Sequence, residues 1–137
     1  AVAILREEIQ GTIDSAAGYS ALAEHCTQLE ASLTQMEETV QAVAACGDKS
    51  LALANATIFL DAAGHIVIAW MWLKQAVAAS KGLADGDAGD QAFYQGKLAA
   101  TRFFFRYELP KSSAGLSLVA GLDSTCYDLT AEQFLGA

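Results

Sequence analysis

The scarcity of proline and of β-branched stretches is the first constraint on the fold. One proline occurs among 137 residues, whereas alanine, leucine, glutamate and glutamine are abundant. Because the abundant residues favour helices over strands, the composition predicts an all-α fold. A chain of this length forms one domain with one core, so we expect residues 1–137 to make a single antiparallel helical bundle of about four main helices.

Cysteines are also few, and they do not pair by pattern. Cys26, Cys46 and Cys126 are widely spaced and odd in number, and no CxxC occurs. This usage excludes a disulfide framework and is typical of a reduced intracellular protein. We therefore expect a cytoplasmic location.

Positive charge is scarce as well. Against 16 Asp and Glu residues there are 8 Lys and Arg residues, which leaves a net charge of −8. This charge repels nucleic acids and anionic lipids, so neither is an expected partner. The chain begins AVAILREE, and the early acidic residues Glu7 and Glu8 exclude a signal peptide. Because the sequence has no initiator methionine, we expect it to be a piece cut from a longer protein.

What the sequence does contain is helical periodicity. Apolar residues recur in steps of three and four over residues 2–16 and again in the segment that follows, as on one face of a helix. The clearest such face consists of Leu22, Cys26, Leu29, Leu33, Met36, Val40 and Val43. Asp48 is placed to cap a third helix, which we expect at about 49–80 as the central helix of the bundle.

A fourth helical pattern begins at Gln91, where Asp90 is placed as its cap. Pro110 removes a backbone hydrogen bond and clashes with the carbonyl four residues back. The helix should therefore kink or break between Arg106 and Pro110. The pattern then continues to Gly121, and residues 130–135 predict one last turn.

The longest apolar run, Ile66 to Leu73 within GHIVIAWMWLK, is too short for a membrane span. A span needs about 20 largely apolar residues. Windows of that length here contain Asp61, His65 or Lys74, whose burial in lipid is costly, so the sequence predicts no transmembrane segment. At about 100° per residue the apolar side chains point nearly all round, which predicts a helix buried on all sides.

Asp61 and His65 stand four residues apart on the narrow polar strip of this helix and can touch. One interpretation is a general base or a ligand-binding dyad, with the carboxylate holding the imidazole. The other is a polar pair in a bundle seam that faces Lys97, Arg102 or Arg106 of the fourth helix. We favour the seam, because no nucleophile or second histidine stands at a useful spacing.

Motifs for metals and cofactors are weak. DGDAGD at 85–90 resembles a calcium loop, but the positions that need an oxygen ligand, a glycine and a glutamate hold Gly89, Asp90 and Gly96. We interpret it as a solvated loop, and we interpret Cys26 of His25-Cys26 as a core thiol and not as part of a metal or thiol site. GxGxxG, the P-loop and GxSxG do not occur, so we predict no metal-binding, cofactor-binding or catalytic residue.

An aromatic run, residues 103–105, is flanked by Arg102, Arg106 and Tyr107. It has the composition to cradle a flat ring, but at helical spacing such residues more often form a core and an interface. Consecutive helical residues point in different directions. We therefore expect one of the three phenylalanines to face away from the core, toward a neighbouring domain or subunit.

Two stretches carry a family resemblance. NATIFLDAAGHIVIAWMWLKQA (55–76) and QAFYQGKLAATRFFFRYELPKSSAGL (91–116) resemble the extra C-terminal domain of a subset of acyl-CoA dehydrogenases. Its most specific pattern is FYxGKLxxxRFF, here Phe93 to Leu98 with Arg102 to Phe104. The resemblance covers residues 50–135 well and 1–47 only by helical pattern.

The resemblance implies a function that lies largely outside this chain. Parent proteins of this family use FAD to remove hydrogens from the α and β carbons of an acyl thioester, with a glutamate of the dehydrogenase core as the base. It therefore implies no catalytic or flavin-binding residue here. The implied partners are the dehydrogenase core of the same chain, further copies in a homo-oligomer, and the parent's acyl-CoA substrate, which in this family is straight-chain or a short group such as 3-methylthiopropanoyl.

A second function from another class stays open. An independent helical bundle that binds a partner or a small apolar ligand, with no enzyme attached, is compatible with the same residues. The sequence upstream of Ala1 discriminates the two. About 450 residues of dehydrogenase there would support the accessory domain, since domains of this kind follow a complete catalytic core.

Overall fold

The computed structural model describes residues 2–86 and 89–136, and over these ranges it contains helices and no strands. The prediction of an all-α fold is therefore confirmed. In chain order the helices are α1 (Val2–Ala16), α2 (Ala23–Ala44), α3 (Lys49–Leu53), α4 (Ala56–Ala84), α5 (Gln91–Phe103), α6 (Lys111–Ala120), α7 (Thr125–Asp128) and α8 (Ala131–Leu135). A 3₁₀ turn, Ser20–Leu22, precedes α2, and a π-helical segment, Phe104–Glu108, joins α5 to α6.

Four long helical units make the bundle: α1, α2, α4, and the bent unit formed by α5, the π segment and α6. Helix α4 lies at the centre and contacts α1, α2, α5 and α6. One apolar core connects these units. Its largest side chains that are almost fully buried are Ile9, Leu22, Leu29, Leu33, Ile66, Leu73, Phe105 and Leu116.

The predicted bend near Pro110 is present and has a local cause. The N–H of Leu109 donates to the carbonyl of Phe104, five residues back, at 2.9 Å. This wide turn inserts one extra residue, so the chain turns before it reaches Pro110, which directly precedes α6 as its N-cap residue with φ −60°. The irregular segment starts at Phe104, slightly upstream of the predicted Arg106.

The central helix has different ends from those predicted at 49–80. Asp48 does cap a helix, accepting from the N–H groups of Ser50 and Leu51, but that helix, α3, stops at Leu53. Asn55 leaves helical geometry, and its side-chain amide donates to the carbonyl of Asp123 at 2.9 Å. Helix α4 therefore begins at Ala56 and continues to Ala84, close to Gly86, whose φ of 73° suits a helix end.

Helix α4 is also not buried all round, so that prediction is wrong. Its buried side chains, Ala62, Ile66, Ala69, Leu73, Ala76 and Ala79, all face the bundle. Leu60, Ile68 and Met71 are 71%, 48% and 37% exposed. The reason is that no described helix packs against this second side, whatever its hydrophobicity.

Helix α4 is long and apolar enough to cross a membrane by length and composition alone, a criterion that core helices of soluble proteins also meet. The absence of a membrane span therefore stays a prediction.

The helix caps near the C-terminal part of the chain agree only partly with the predictions. The Thr130 side chain accepts from the N–H of Gln133 in a capping box, which begins the expected last turn. Asp90 precedes α5 but makes no side-chain capping bond, so that prediction is wrong. At the other end, Arg6 of α1 binds Glu30 and Glu37 of α2 at 2.8 and 2.7 Å, which fixes α1 against the bundle.

Candidate functional site

The polar strip of α4 lies at the surface beside the π segment. The ring of His65 donates through Nδ1 to the main-chain carbonyl of Asp61 at 2.9 Å. The Asp61 carboxylate is farther away, at 3.8 Å from Nδ1, and its side chain is 77% exposed. The backbone of α4, and not the Asp61 carboxylate, therefore orients the imidazole.

The second nitrogen of His65 faces a residue that the sequence analysis did not select. Nε2 lies 3.8 Å from Oε2 of Glu108, which ends the π segment. Both carboxylate oxygens of Glu108 accept from Nζ of Lys111, at 3.0 and 2.9 Å. The hydrogen bond from Lys111 lowers the pKa of Glu108 below its usual value. Because the extra π-helical residue sets where Glu108 points, helical spacing could not reveal this neighbour.

Lys97 belongs to α5 and contacts a different part of α4, in the C-terminal half of that helix. Its Nζ donates to Oε1 of Gln75 at 2.9 Å and lies 5.6 Å from the centre of the Trp72 ring. It also lies 5.5 Å from the centre of the Phe93 ring. Lys97 therefore joins α5 to α4 through one hydrogen bond and one cation–π contact, makes a second cation–π contact within α5, and does not face His65.

The FYxGKL motif forms the seam between α4 and α5. The ring of Tyr94 covers Gly82, where an added Cβ would lie 2.5 Å from ring carbons. One turn on from Lys97, the hydroxyl of Thr101 donates to the carbonyl of Trp72 at 3.3 Å. The residues that carry the family resemblance thus have a structural role, which is to hold the two helices in close contact.

Arg102 and Arg106 are exposed and lie toward α2. There the ring of His25 packs on that of Phe105, with centroids 4.6 Å apart. Burial lowers the pKa of His25, and both arginines lower it further, while Gln28 and Glu24 act in the opposite direction. Burial also raises the pKa of the neighbouring Cys26 thiol.

The structure thus brings Asp61 and His65 together but separates them from Lys97, Arg102 and Arg106. The burial of His25, which is only 7% exposed, was not predicted. The signal was present, because His25 falls at helical spacing between Leu22 and Leu29, both of which are buried.

This geometry gives little support to acid–base chemistry at His65. A general base must lie within about 2.6–3.2 Å of the proton that it takes, and a further group usually orients it. The two carboxylates stand 3.8 Å from the ring nitrogens, too far for a short hydrogen bond. The arrangement suits a polar contact that joins α4 to the π segment, with Glu108 in the place expected for a cation.

The aromatic run divides between core and surface as expected. Phe105 is fully buried, whereas Phe103 is 55% exposed and its ring stacks on that of Tyr107 at 4.8 Å. One phenylalanine therefore does face away from the core.

No cluster of three His, Cys, Asp or Glu side chains suited to a metal occurs in residues 2–86 and 89–136. The DGDAGD interpretation falls outside this test, since residues 87 and 88 lie outside the described residues. All three cysteines are free thiols. Beside His65 lies a shallow, mainly apolar groove, lined by Thr57, Leu60, Asp61, Gly64, His65 and Ile68.

Known proteins resemble this chain over nearly its whole length. Residues 5–130 match the family model described as acetyl-CoA dehydrogenase C-terminal like. A curated Mycobacterium tuberculosis protein, the broad-specificity linear acyl-CoA dehydrogenase FadE5, is 29% identical over 147 aligned residues. The alignment takes in 98% of this chain and 23% of that protein, so the chain spans less than a quarter of its relative's length. Since the family model covers most of the described helices, the chain belongs to the acetyl-CoA dehydrogenase C-terminal-like family.

Proposed function

We propose that this chain is the accessory C-terminal domain of a flavin-dependent acyl-CoA dehydrogenase. In this proposal the full-length dehydrogenase, the parent polypeptide, oxidises acyl-CoA to 2,3-enoyl-CoA. The observation that carries the proposal is the match of nearly the whole chain to one part of a longer dehydrogenase. The name of that relative favours linear acyl groups over 3-methylthiopropanoyl as the parent's substrate.

In this proposal the domain supplies no catalytic base. His65 is the only candidate on the polar strip, and its ring is held by a main-chain carbonyl on an exposed helix face. Two glutamates of α2, Glu30 and Glu37, are engaged in ion pairs with Arg6. Proton abstraction therefore belongs to the dehydrogenase portion of the parent.

Two of the concave sites in the described residues do not fit FAD. Its pyrophosphate needs backbone N–H groups or basic side chains, and its ring system needs an apolar slot. The apolar pocket among α2, α3, α4 and α6 is lined by Val40, Val43, Ala44, Ala52, Leu53, Ala56, Phe59 and Val119, which offer no basic group. The groove between α1 and α4 has Lys74 but also Glu7 and Glu8, whose charge opposes a phosphate. The proposal therefore locates the flavin outside this domain.

The proposed partners follow from the same assignment. They are the dehydrogenase core of the same polypeptide, further copies in a homo-oligomer, and acyl-CoA bound by the parent. A cytoplasmic location agrees with three free thiols. A net charge of −8 is unfavourable for binding nucleic acid.

A second candidate function is favoured by the apolar pocket beside α3. Its volume is about 240 Å³, and its lining is almost wholly aliphatic. An independent module could use this pocket for a small apolar ligand. If the polypeptide contains no dehydrogenase upstream of Ala1, this second candidate is favoured over the first.

The direct test compares the full-length polypeptide with residues 1–137 alone. We expect the full-length protein to carry stoichiometric flavin and to reduce an artificial electron acceptor with linear acyl-CoA. The 137-residue chain should be colourless and inactive. Stoichiometric flavin in the short chain, or its absence from the full-length protein, contradicts the proposal.

A further inference from the structure

The second side of α4 is an apolar surface that the described helices leave open. We define the outer face of α4 as Thr57, Leu60, Asp61, Gly64, Ile68 and Met71. Leu60 is 71% exposed and Ile68 is 48% exposed, although side chains of this kind are normally buried. Over these four turns the face carries one charged side chain, that of Asp61, in a molecule with a net charge of −8.

Gly64, at the centre of the outer face, leaves room for a partner to approach the helix closely. It lies inside a 29-residue helix, where glycine is less favourable than alanine. Apart from its chain neighbours and the nearby backbone of α4 itself, no atom of the described structure lies within 4 Å of the position that its Cβ would take. Nothing in this domain therefore requires glycine there. Close approach of another backbone is a common reason for glycine at such a position.

The composition of the face indicates what covers it. A mainly apolar surface with a single charge fits another protein surface, whereas the acidic charge of the molecule repels anionic lipid. More than three quarters of the matched relative lies outside the region aligned with this chain, so in such a polypeptide a large neighbour is always present.

Resting on the proposed function, we propose that the outer face of α4 is the docking surface for the dehydrogenase portion of the same polypeptide, which approaches the helix most closely at Gly64. The exposed aromatic pair Phe103 and Tyr107 lies on α5 and the π segment, outside this face. Docking at α4 covers Met71 and leaves surfaces on the far side of the bundle open.

The two methionines of the chain make the test possible. Met36 is buried in the core at 3% exposure, and Met71 on the outer face is 37% exposed. Leu53→Met adds an exposed standard on α3, where the native side chain is 67% exposed. The full-length polypeptide with this substitution is treated with dilute peroxide, and sulfoxide at each methionine is followed by peptide mass spectrometry.

Docking predicts that Met71 oxidises at least tenfold more slowly than the methionine at 53, and nearly as slowly as Met36. In residues 1–137 alone, Met71 should oxidise within about threefold of the standard at 53, in line with their exposed fractions. Equal rates at 71 and 53 in an active, flavin-loaded full-length protein overturn the docking surface and leave the proposed function intact. A full-length protein without flavin overturns both.

A substitution at the point of closest approach sharpens the test. Gly64→Leu places a side chain in open space, so the domain should fold, but it blocks the approaching backbone. We expect it to raise the oxidation rate of Met71 in the full-length protein about tenfold, to that of the standard. Gly11→Leu on α1 is the matched control, because a Cβ there also meets open space, and it should leave Met71 protected.

Two other occupants have distinct outcomes. Protection of Met71 in residues 1–137 alone that rises with protein concentration would show a second copy on this face. Protection of the same chain by neutral phosphatidylcholine vesicles would show a lipid surface. Either result contradicts docking of the dehydrogenase portion.

Discussion

Both sides of α4 carry large apolar side chains, but their surroundings are opposite. On the inner side Ile66 and Leu73 are fully buried, and on the outer side Leu60 and Ile68 are largely exposed. The same helix therefore contains matched residues in both environments. Apolar side chains on a helix face thus indicate that the face needs a packing partner. The positions of the neighbouring helices decide whether that partner lies within this domain.

The largest expected effect comes from truncating the same residue type on each side. Leu73→Ala opens a cavity in the core and should lower the free energy of unfolding by about 2–5 kcal/mol. Leu60→Ala removes an exposed side chain and should change it by less than about 0.5 kcal/mol in the 137-residue chain. Urea denaturation followed by circular dichroism measures both. Equal losses at the two positions would show that the outer face is covered within this chain.

The next effect uses two glycines of α4. Gly82→Ala forces the Tyr94 ring to move, at a cost of about 1–3 kcal/mol, which exceeds the gain of about 0.5–1 kcal/mol from removing a helical glycine. Gly64→Ala meets open space and should show only that gain. The two melting temperatures should thus shift in opposite directions. A rise for Gly82→Ala would mean that the Tyr94 contact does not constrain the helix pair.

A smaller change in the free energy of unfolding is expected from His25, a buried titratable residue on the core side of the bundle. Burial lowers the pKa of His25 in the folded state, so the unfolded chain binds more protons near the unfolded pKa of about 6.5. Stability is therefore present above that pH and is lost as the pH falls through it, with a slope of at most about 1.4 kcal/mol per pH unit from this group.

The measurement compares wild type with His25→Gln in urea titrations between pH 5 and pH 8. The difference between their unfolding free energies should shrink or change sign toward low pH, because only the wild type must discharge a buried imidazole. A difference that does not vary with pH would contradict the lowered pKa.

The smallest effect is expected at the edge between the two sides. His65→Gln keeps a polar side chain near the Asp61 carbonyl and Glu108, and should change the unfolding free energy by less than about 1 kcal/mol. Turnover of the full-length parent should stay nearly unchanged. A loss of turnover by orders of magnitude with the fold preserved would instead assign His65 a direct role in the reaction.

Much of the secondary structure followed from local patterns. The first helix at Val2–Ala16 and the last at Ala131–Leu135 agree with their predicted positions, since spacing and caps act within a few residues. The break between α3 and α4 did not follow, because Asn55 is held by the carbonyl of Asp123, which is 68 residues away in sequence. The candidate site was found in part: Asp61 and His65 are adjacent, but Glu108 was missed.

The sequence by itself determined that the chain is helical, where the long helices lie, that one of them bends near Pro110, and to which family the chain is similar. These properties rest on periodicity, caps and motifs, which are local in the chain. Only the tertiary structure decided which side of α4 is buried, which carboxylate faces His65, and that His25 lies in the core. These depend on which helices pack together, and packing brings residues into contact that are far apart in sequence.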